Sequence, residues 1–397
     1  MLDAAKSSAP KVKSKTETLP VDLKDQTLKS ATGLSAGLVT LMGLGFLSPG
    51  APILGMTSIF SLSLIAGYFS VWGVTPALHT PLMSITNAIS GITAVGGLLI
   101  MGGGFFPHSI PQLLASLAVL ISSVNIAGGF LVTKRMLDMF KRKTDPEEYN
   151  HLYGIPAVAS AAALLYAHST GASAVFQLSY LASSLCCIGG ITGLSSQKTS
   201  RVGAALGGIG VLSGVVTALC ALNFSWPVLV QALALLGIGG TAGAYLGQRV
   251  AVTELPQTVA AFHALVGLAA VFTSLGSYWI DPSHATALHK IAAYIGTLIG
   301  GITFTGSIAA FIKLAAIKFS YTLPFSNHLN RPLTALNAVA LTAMLASGNP
   351  VVGSLALVSA ATSAFALGWN ITNSIGGADM PVAITVLNSY SGWALCA

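Results

Sequence analysis

The sequence predicts an all-α protein, a polytopic transmembrane helical bundle, and three observations carry that prediction. Hydrophobic residues make up 53% of the 397-residue chain and charged residues only 7%, against roughly a quarter charged in soluble domains; mean hydropathy is +0.78. The apolar residues come in unbroken blocks of about 20, the length that crosses a hydrocarbon core, and not in the alternating segments of a transmembrane barrel. The basic residues fall almost entirely on one side of the layer that those blocks imply.

Taken in order, residues 1–30 are polar, Lys-rich and Pro-interrupted. With Asp3, Glu17, Asp22 and Asp25 they read as a tether and not as an acid-poor transit peptide. Residues 31–397 read as one transmembrane domain. Spans are expected at 31–48, 51–70, 75–103 (entered at Pro76), 110–133 (left at Lys134), 154–170, 174–194, 202–222, 226–247, 255–279 (entered at Pro256), 289–316, 331–347 and 350–371. A thirteenth, 380–397, is entered at Pro381 and cut short. That makes about 12 complete spans plus a truncated 13th, with no internal repeat of fixed period.

The distribution of Lys and Arg tests that count, because loops on one side of a membrane accumulate them. Lys6, Lys11, Lys13, Lys15, Lys24 and Lys29 lie in the tail. Alternating spans put Lys134, Arg135, Lys141, Arg142, Lys143, Lys198, Arg201, Arg249, Lys313, Lys318 and Arg331 on the tail's side. Of 18 basic residues only Lys290 falls opposite. This asymmetry accounts for the net charge of +7 and the pI of 9.2 without a nucleic-acid partner, for which no basic patch interleaved with aromatics exists. Cys186, Cys187, Cys220 and Cys396 sit in apolar stretches without metal-ligand spacing and read as small core residues.

Polar groups inside the apolar layer are the functional candidates, since hydrocarbon offers them no partner. His263 lies seven residues past Pro256 and Asn388 seven past Pro381, so both sit about 10 Å from the basic side. Ser307, six residues before Lys313, is about 9 Å from it; Asn125 and Asn87 lie at roughly 13 to 17 Å. Each shares its helix face with small residues: Asn87 with Ser84 and Gly91, Asn125 with Gly128 and Gly129, His263 with Ala260 and Gly267, Ser307 with Gly300, and Asn388 with Ser391 and Gly392. Such faces let helices approach closely. For Ser307, Asn87 and Asn125 taken singly, interhelical glue explains the residue as well as function does. His263 differs, because imidazole exchanges its proton near neutral pH.

His79, after Pro76, fits either an interfacial residue or an access point to the same slab. Glu254 and Asp379 stand where a carboxylate caps a helix, the latter after Gly376 and Gly377. Residues 237–242 formally fit a dinucleotide fingerprint, but no strand precedes them and they lie within an apolar span, so packing glycines suffice.

The strings VWGVTPALHTPLMSITNAISG (71–91), NIAGGFLVTKRMLDMFKRKTDPEEYN (125–150), LPQTVAAFHALVGLAAV (255–271), GGITFTGS (300–307) and IGGADMPVAITVLNSYSGWALCA (375–397) resemble the membrane domain of proton-translocating NAD(P) transhydrogenases of the mitochondrial, animal-like type. The resemblance runs from about Thr32 to Ala397. It implies an enzyme that couples proton return across the inner membrane to hydride transfer from NADH to NADP, with NAD and NADP as cofactors of the full enzyme and none bound by this stretch. It implies partners: lipid, protons, an NAD(H)-binding domain before residue 1, to which 1–30 would be the linker, an NADP(H)-binding domain after the last helix, and a second copy in a homodimer. Without those domains the chain is expected to be inactive and to bind neither nucleotide. His263, Ser307, Asp379 and Asn388 match the family's proton-pathway and coupling positions, and Asn87 and His79 its third-helix motif. The basic side would face the mitochondrial matrix. Two other readings compete: a stand-alone proton-coupled secondary transporter with its site at the broken helices, and an inert scaffold whose slab is only glue.

Overall fold

The computed structural model describes residues 51–142, 144, 149–317 and 326–397, with a few positions between 28 and 39. The expected first span, 31–48, and the tether lie outside the described residues. The described residues form helices and no strand: α1 (Ala51–Trp72), α2 (His79–Ser90), α3 (Thr93–Ile100), α4 (Ile110–Asp138), α5 (Gly154–Thr170), α6 (Ser173–Gly193), α7 (Ser200–Ala221), α8 (Trp226–Arg249), α9 (Leu255–Ile280), α10 (Ala287–Leu314), α11 (Ser326–Ala346), α12 (Pro350–Asn373) and α13 (Met380–Cys396). Nine stretches among them are long and apolar enough to cross a membrane, α2 and α3 together making one of these. α5 and α13, at 17 residues each, and the more polar α11 fall outside that set. The protein is a multi-pass membrane protein. Its chain divides into two compact units, Met1–Tyr68, which holds most of α1, and Phe69–Ala397, which holds α2 to α13.

Within the second unit α9 is the most deeply buried span. It packs on α10, α4, α13, α2 and α3; α10 in turn packs on α12 and α13, α4 on α8, and α6 on α7. Glycine sets the closest of these approaches. A Cβ on Gly267 would stand 2.6 Å from the Phe304 nitrogen and 2.7 Å from the Gly300 oxygen, so the backbones of α9 and α10 touch, as small residues allow in membranes. In α8, Gly239 lies against the carbonyl of Leu120 and Gly243 against that of Val124. Within the dinucleotide-like stretch Gly239 is thus a packing glycine against α4, in the middle of a continuous helix.

Two boundaries depart from expectation for tertiary reasons. The 75–103 span is not one helix: after Ser90 the chain tightens through Gly91 and Ile92, whose amides bond three residues back to Ala88 and Ile89 at 3.1 and 3.0 Å. Gly91 has no room for a side chain there, because Ile126 of α4 occupies the space, and the overwound turn is the outcome. α11 is helical from at least Ser326, ahead of Pro332, and there the Asn370 amide of α12 holds the Ser326 carbonyl at 2.8 Å and Asn330 Oδ1 at 2.7 Å.

Three cations sit on the carbonyl ends of neighbouring helices, where the helix dipole favours positive charge. Lys313 reaches the carbonyls of Asn373 and Ile375 at 2.6 and 2.7 Å, Arg135 that of Gly247 at 2.8 Å, and Lys290 that of Ser347 at 3.1 Å. Lys290, the exception to the charge asymmetry, is thereby bound to the end of α11. Of the cysteines, Cys187 is buried, Cys186 and Cys220 are half-buried, and Cys396 is exposed.

Gly267→Ala should push α9 and α10 apart and destabilise the protein by about 1–3 kcal/mol, the range for overpacked cores. Thermal unfolding of the purified protein in detergent measures this, and an unshifted midpoint would show that the backbone contact does not exist.

Candidate functional site

His263 is fully buried one turn before Gly267 on α9, and its Nε2 lies 2.9 Å from Asn388 Oδ1 of α13. Asn388 donates its amide to Thr86 Oγ1 of α2 at 2.7 Å, and Thr86 donates its hydroxyl to the Leu82 carbonyl at 2.8 Å. The direction of this chain follows from its far end. An amide that donates to Thr86 turns its oxygen toward the imidazole, so Nε2 must carry a hydrogen. Nδ1 is then the position at which the ring gains or loses a proton. It is buried and leans on the Val259 carbonyl, one turn back, without closing a hydrogen bond of good geometry.

Ser307 is at the same level on the facing helix. α9 and α10 run antiparallel with Gly267 against Gly300 and Phe304, so stepping one turn back from Gly267 and one turn on from Phe304 reaches His263 and Ser307. Ser307 is fully buried and its Oγ, like His263 Nδ1, has no hydrogen-bond partner. Two unpaired polar groups on touching helices are costly in a dry core, at about 1–3 kcal/mol each, and such groups call for a role.

Asn87 and Asn125 do not join this chain. Asn87 donates to Asn125 Oδ1 and Asn125 to the Asn87 carbonyl, both at 2.8 Å. Beside them Thr133 donates to Ser84 Oγ at 2.8 Å, and Ser84 to the Gly129 carbonyl at 3.2 Å. This second cluster fastens α2 to α4, while only Asn87 Oδ1 remains buried without a partner. The expected single slab is thus two clusters on different faces of α2, divided between Thr86 and Asn87.

His79 is exposed at the first residue of α2, more than one turn from either cluster along the helix. Asp379 is exposed at the position before α13, closing a short turn from Gly377. Its carboxylate makes no cap hydrogen bond, so the expected cap is a cap in position only. Glu254, by contrast, accepts from the Ala251 amide at 3.2 Å.

Two features escaped the sequence reading. Thr86 lies about 100° around the helix from Asn87, outside the face singled out, and a threonine in a membrane helix carries no distinguishing signal. The second lies at the other end of α9. The face of His263 continues through Gly267, Ala270, Ser274 and Ser277 to a cavity of about 380 Å³ lined by Thr273, Ser274, Ser277, His289 and the last residues of α13. There His289 Nε2 lies 2.9 Å from Ser277 Oγ.

Comparison with known proteins adds to this geometry. The family described as "NAD(P) transhydrogenase beta subunit" matches residues 176–397, which contain His263, Ser307, Asp379 and Asn388. That described as the 4TM region of mitochondrial pyridine nucleotide transhydrogenase matches 56–142, which contain His79, Asn87 and Asn125. Two similar proteins, each named NAD(P) transhydrogenase subunit beta and coming from Rhodospirillum rubrum and from one of its strains, are 34% identical over 226 residues. Those residues are 54% of this chain and 47% of theirs, so the match spans about half the length of each relative. The first family covers more than half of the chain, and the chain belongs to it: it is a member of the NAD(P) transhydrogenase beta subunit family.

Proposed function

We propose that this chain is the proton-translocating membrane domain of an NAD(P) transhydrogenase, coupling proton movement across the mitochondrial inner membrane to hydride transfer from NADH to NADP. The observation that carries this reading is the directed chain from His263 to Asn388 to Thr86, which leaves one imidazole nitrogen open inside the layer. His263 takes and releases the proton at Nδ1. Asn388 fixes the ring by accepting from Nε2, and Thr86 fixes Asn388. Ser307 offers a hydroxyl at the same level. None of these groups contacts a nucleotide in this reading. NAD and NADP belong to the two nucleotide-binding domains of the full enzyme, and the exposed Asp379 end of α13 is where the NADP(H)-binding domain would dock.

Coupling in this scheme is a difference in affinity. Protonation at His263 alters what it asks of Asn388, α13 carries that to Asp379, and the docking of the NADP(H)-binding domain is weakened or strengthened accordingly. We count twelve spans and a thirteenth in the domain, with the basic loops on the matrix side and two copies in the enzyme. The family match weighs against a stand-alone transporter. The Asn87–Asn125 pair, joined by two hydrogen bonds across α2 and α4, fits the glue reading for those two residues.

In the full-length enzyme in vesicles, His263→Leu should lower proton pumping and the coupled hydride transfer together, by about 10²-fold or more if it acts in proton transfer. Asn388→Leu should act likewise and Thr86→Val more weakly. Normal acidification of vesicles by the His263 variant would remove its shuttle role. A double-mutant cycle over Asn87 and Asn125, each changed to Leu, should give a coupling energy in thermal unfolding of about 0.6 kcal/mol, typical of hydrogen bonds between membrane helices, with pumping retained. Loss of pumping in that cycle would move the pair from glue into the pathway.

A further inference from the structure

A short linker joins α12 to α13, and a side chain from a third helix holds it. Lys313, in the last turn of α10, donates to the carbonyls of Asn373 at 2.6 Å, Ile375 at 2.7 Å and Thr372 at 3.4 Å. Thr372 and Asn373 end α12, and a cation serving only as a counter-charge to that helix needs no more than its last carbonyls. Ile375 lies beyond the helix, so the grip extends into the linker. The Ile375 side chain is held too, packed on the cluster of Ala260, Ala310, Met380 and Leu387. Past Ile375 the hold ends. Among the described residues a Cβ on Gly377 would meet nothing within 4 Å, and one on Gly376 only Asp379 Oδ2 at 3.7 Å. A fixed end, two glycines with wide backbone freedom and then a helix are the parts of a hinge.

Both arms of that hinge reach the level of the buried polar groups. Gly306, next to Ser307, has no room for a side chain, because Leu387 of α13 and Thr372 of α12 each come within 2.9 Å of where its Cβ would stand. Leu387 in turn precedes Asn388. From Ser307 to Lys313 is about 9 Å along α10. One helix therefore touches both arms beside Ser307 and fastens one of them two turns further on.

We propose, resting on the coupling role of α13, that Lys313 is a positioning residue: it anchors the α12 side of a hinge at Gly376–Gly377 to α10, so that movement of α13 at Asn388 is delivered to Asp379. Without the anchor the last turn of α12 and the linker follow α13, and the displacement at Asp379 is lost.

Two measurements on the full enzyme in vesicles test this. Lys313→Met should lower the number of protons moved per hydride transferred about five-fold, the low end of coupling between sites. It should also widen the distribution of distances between nitroxides on Gly377→Cys and on Val252→Cys, an exposed position ahead of α9, in a cysteine-free background. Lys313→Gln, which keeps an uncharged donor and is the milder change for folding, should shift both in the same direction by less. A ratio unchanged in both variants, with the two rates falling together, would make Lys313 a helix cap and overturns the proposal; so does an unaltered distance distribution. Normal pumping in His263→Leu would instead take away the coupling role of α13, while the nitroxides, which need no proton movement, would still decide whether Lys313 holds the hinge.

Discussion

Hydrocarbon gives a buried polar atom nothing to bond with, so in this bundle a polar side chain fixes its neighbours or stays unpaired at a cost. The hydrogen bond between His263 and Asn388 is where that constraint does most. It ties α9 to α13, and because Asn388 also reaches Thr86, it ties both to α2. The glycine contact between Gly267 and Gly300 sets how near α10 comes to the same level. Helix arrangement and proton chemistry are therefore one problem here: the groups that hold three helices in place also decide which imidazole nitrogen is open.

Much of this was legible in the residues. The depth of His263 and that of Asn388 could be matched because each helix has a proline in its first turn, which fixes where counting begins, and the hydrogen bond between them bears out the shared level. The helix bounds agree to within a few residues where local sequence decides them. What stayed hidden depends on partners. Helical periodicity says that Thr86 and Asn87 look in different directions, but not that α13 stands before one and α4 before the other. The overwound turn at Gly91 is imposed by Ile126, and the helical turn of α11 ahead of Pro332 is held by Asn370, both from other helices. The capping expected of Asp379 rested on position alone; its carboxylate is exposed and makes no cap bond.

The charge asymmetry has a structural side as well. A cation at the end of a helix can be held by the last carbonyls of a neighbour, and Lys313, Arg135 and Lys290 all are. For Lys313 and Arg135 this coincides with the basic side, so they count toward topology whichever reason put them there. Lys290 shows that the two reasons separate. Its ammonium answers to the end of α11, so it is a helix counter-charge and weakens the inference from asymmetry to orientation very little.

The division of α2 between Thr86 and Asn87 bears on how a proton event could travel. Asn87 is locked to Asn125 by two hydrogen bonds through its side chain and backbone, and Ser84 and Thr133 repeat the fastening more than one turn away from Asn125 on α4. α2 and α4 thus behave as one body. Thr86 presents a single hydroxyl from that body to Asn388, and Thr385 of α13 donates to Met83 Sδ of α2 at 3.2 Å; the rest of α13 is held by apolar contacts among Ala383, Ile384, Leu387 and their neighbours. Apolar contacts are non-directional and let a helix shift where paired amides do not. In the proposed scheme, a change in what His263 demands of Asn388 is answered by α13, which has fewer directional bonds than the paired α2 and α4, and α13 is the helix that begins beside Asp379.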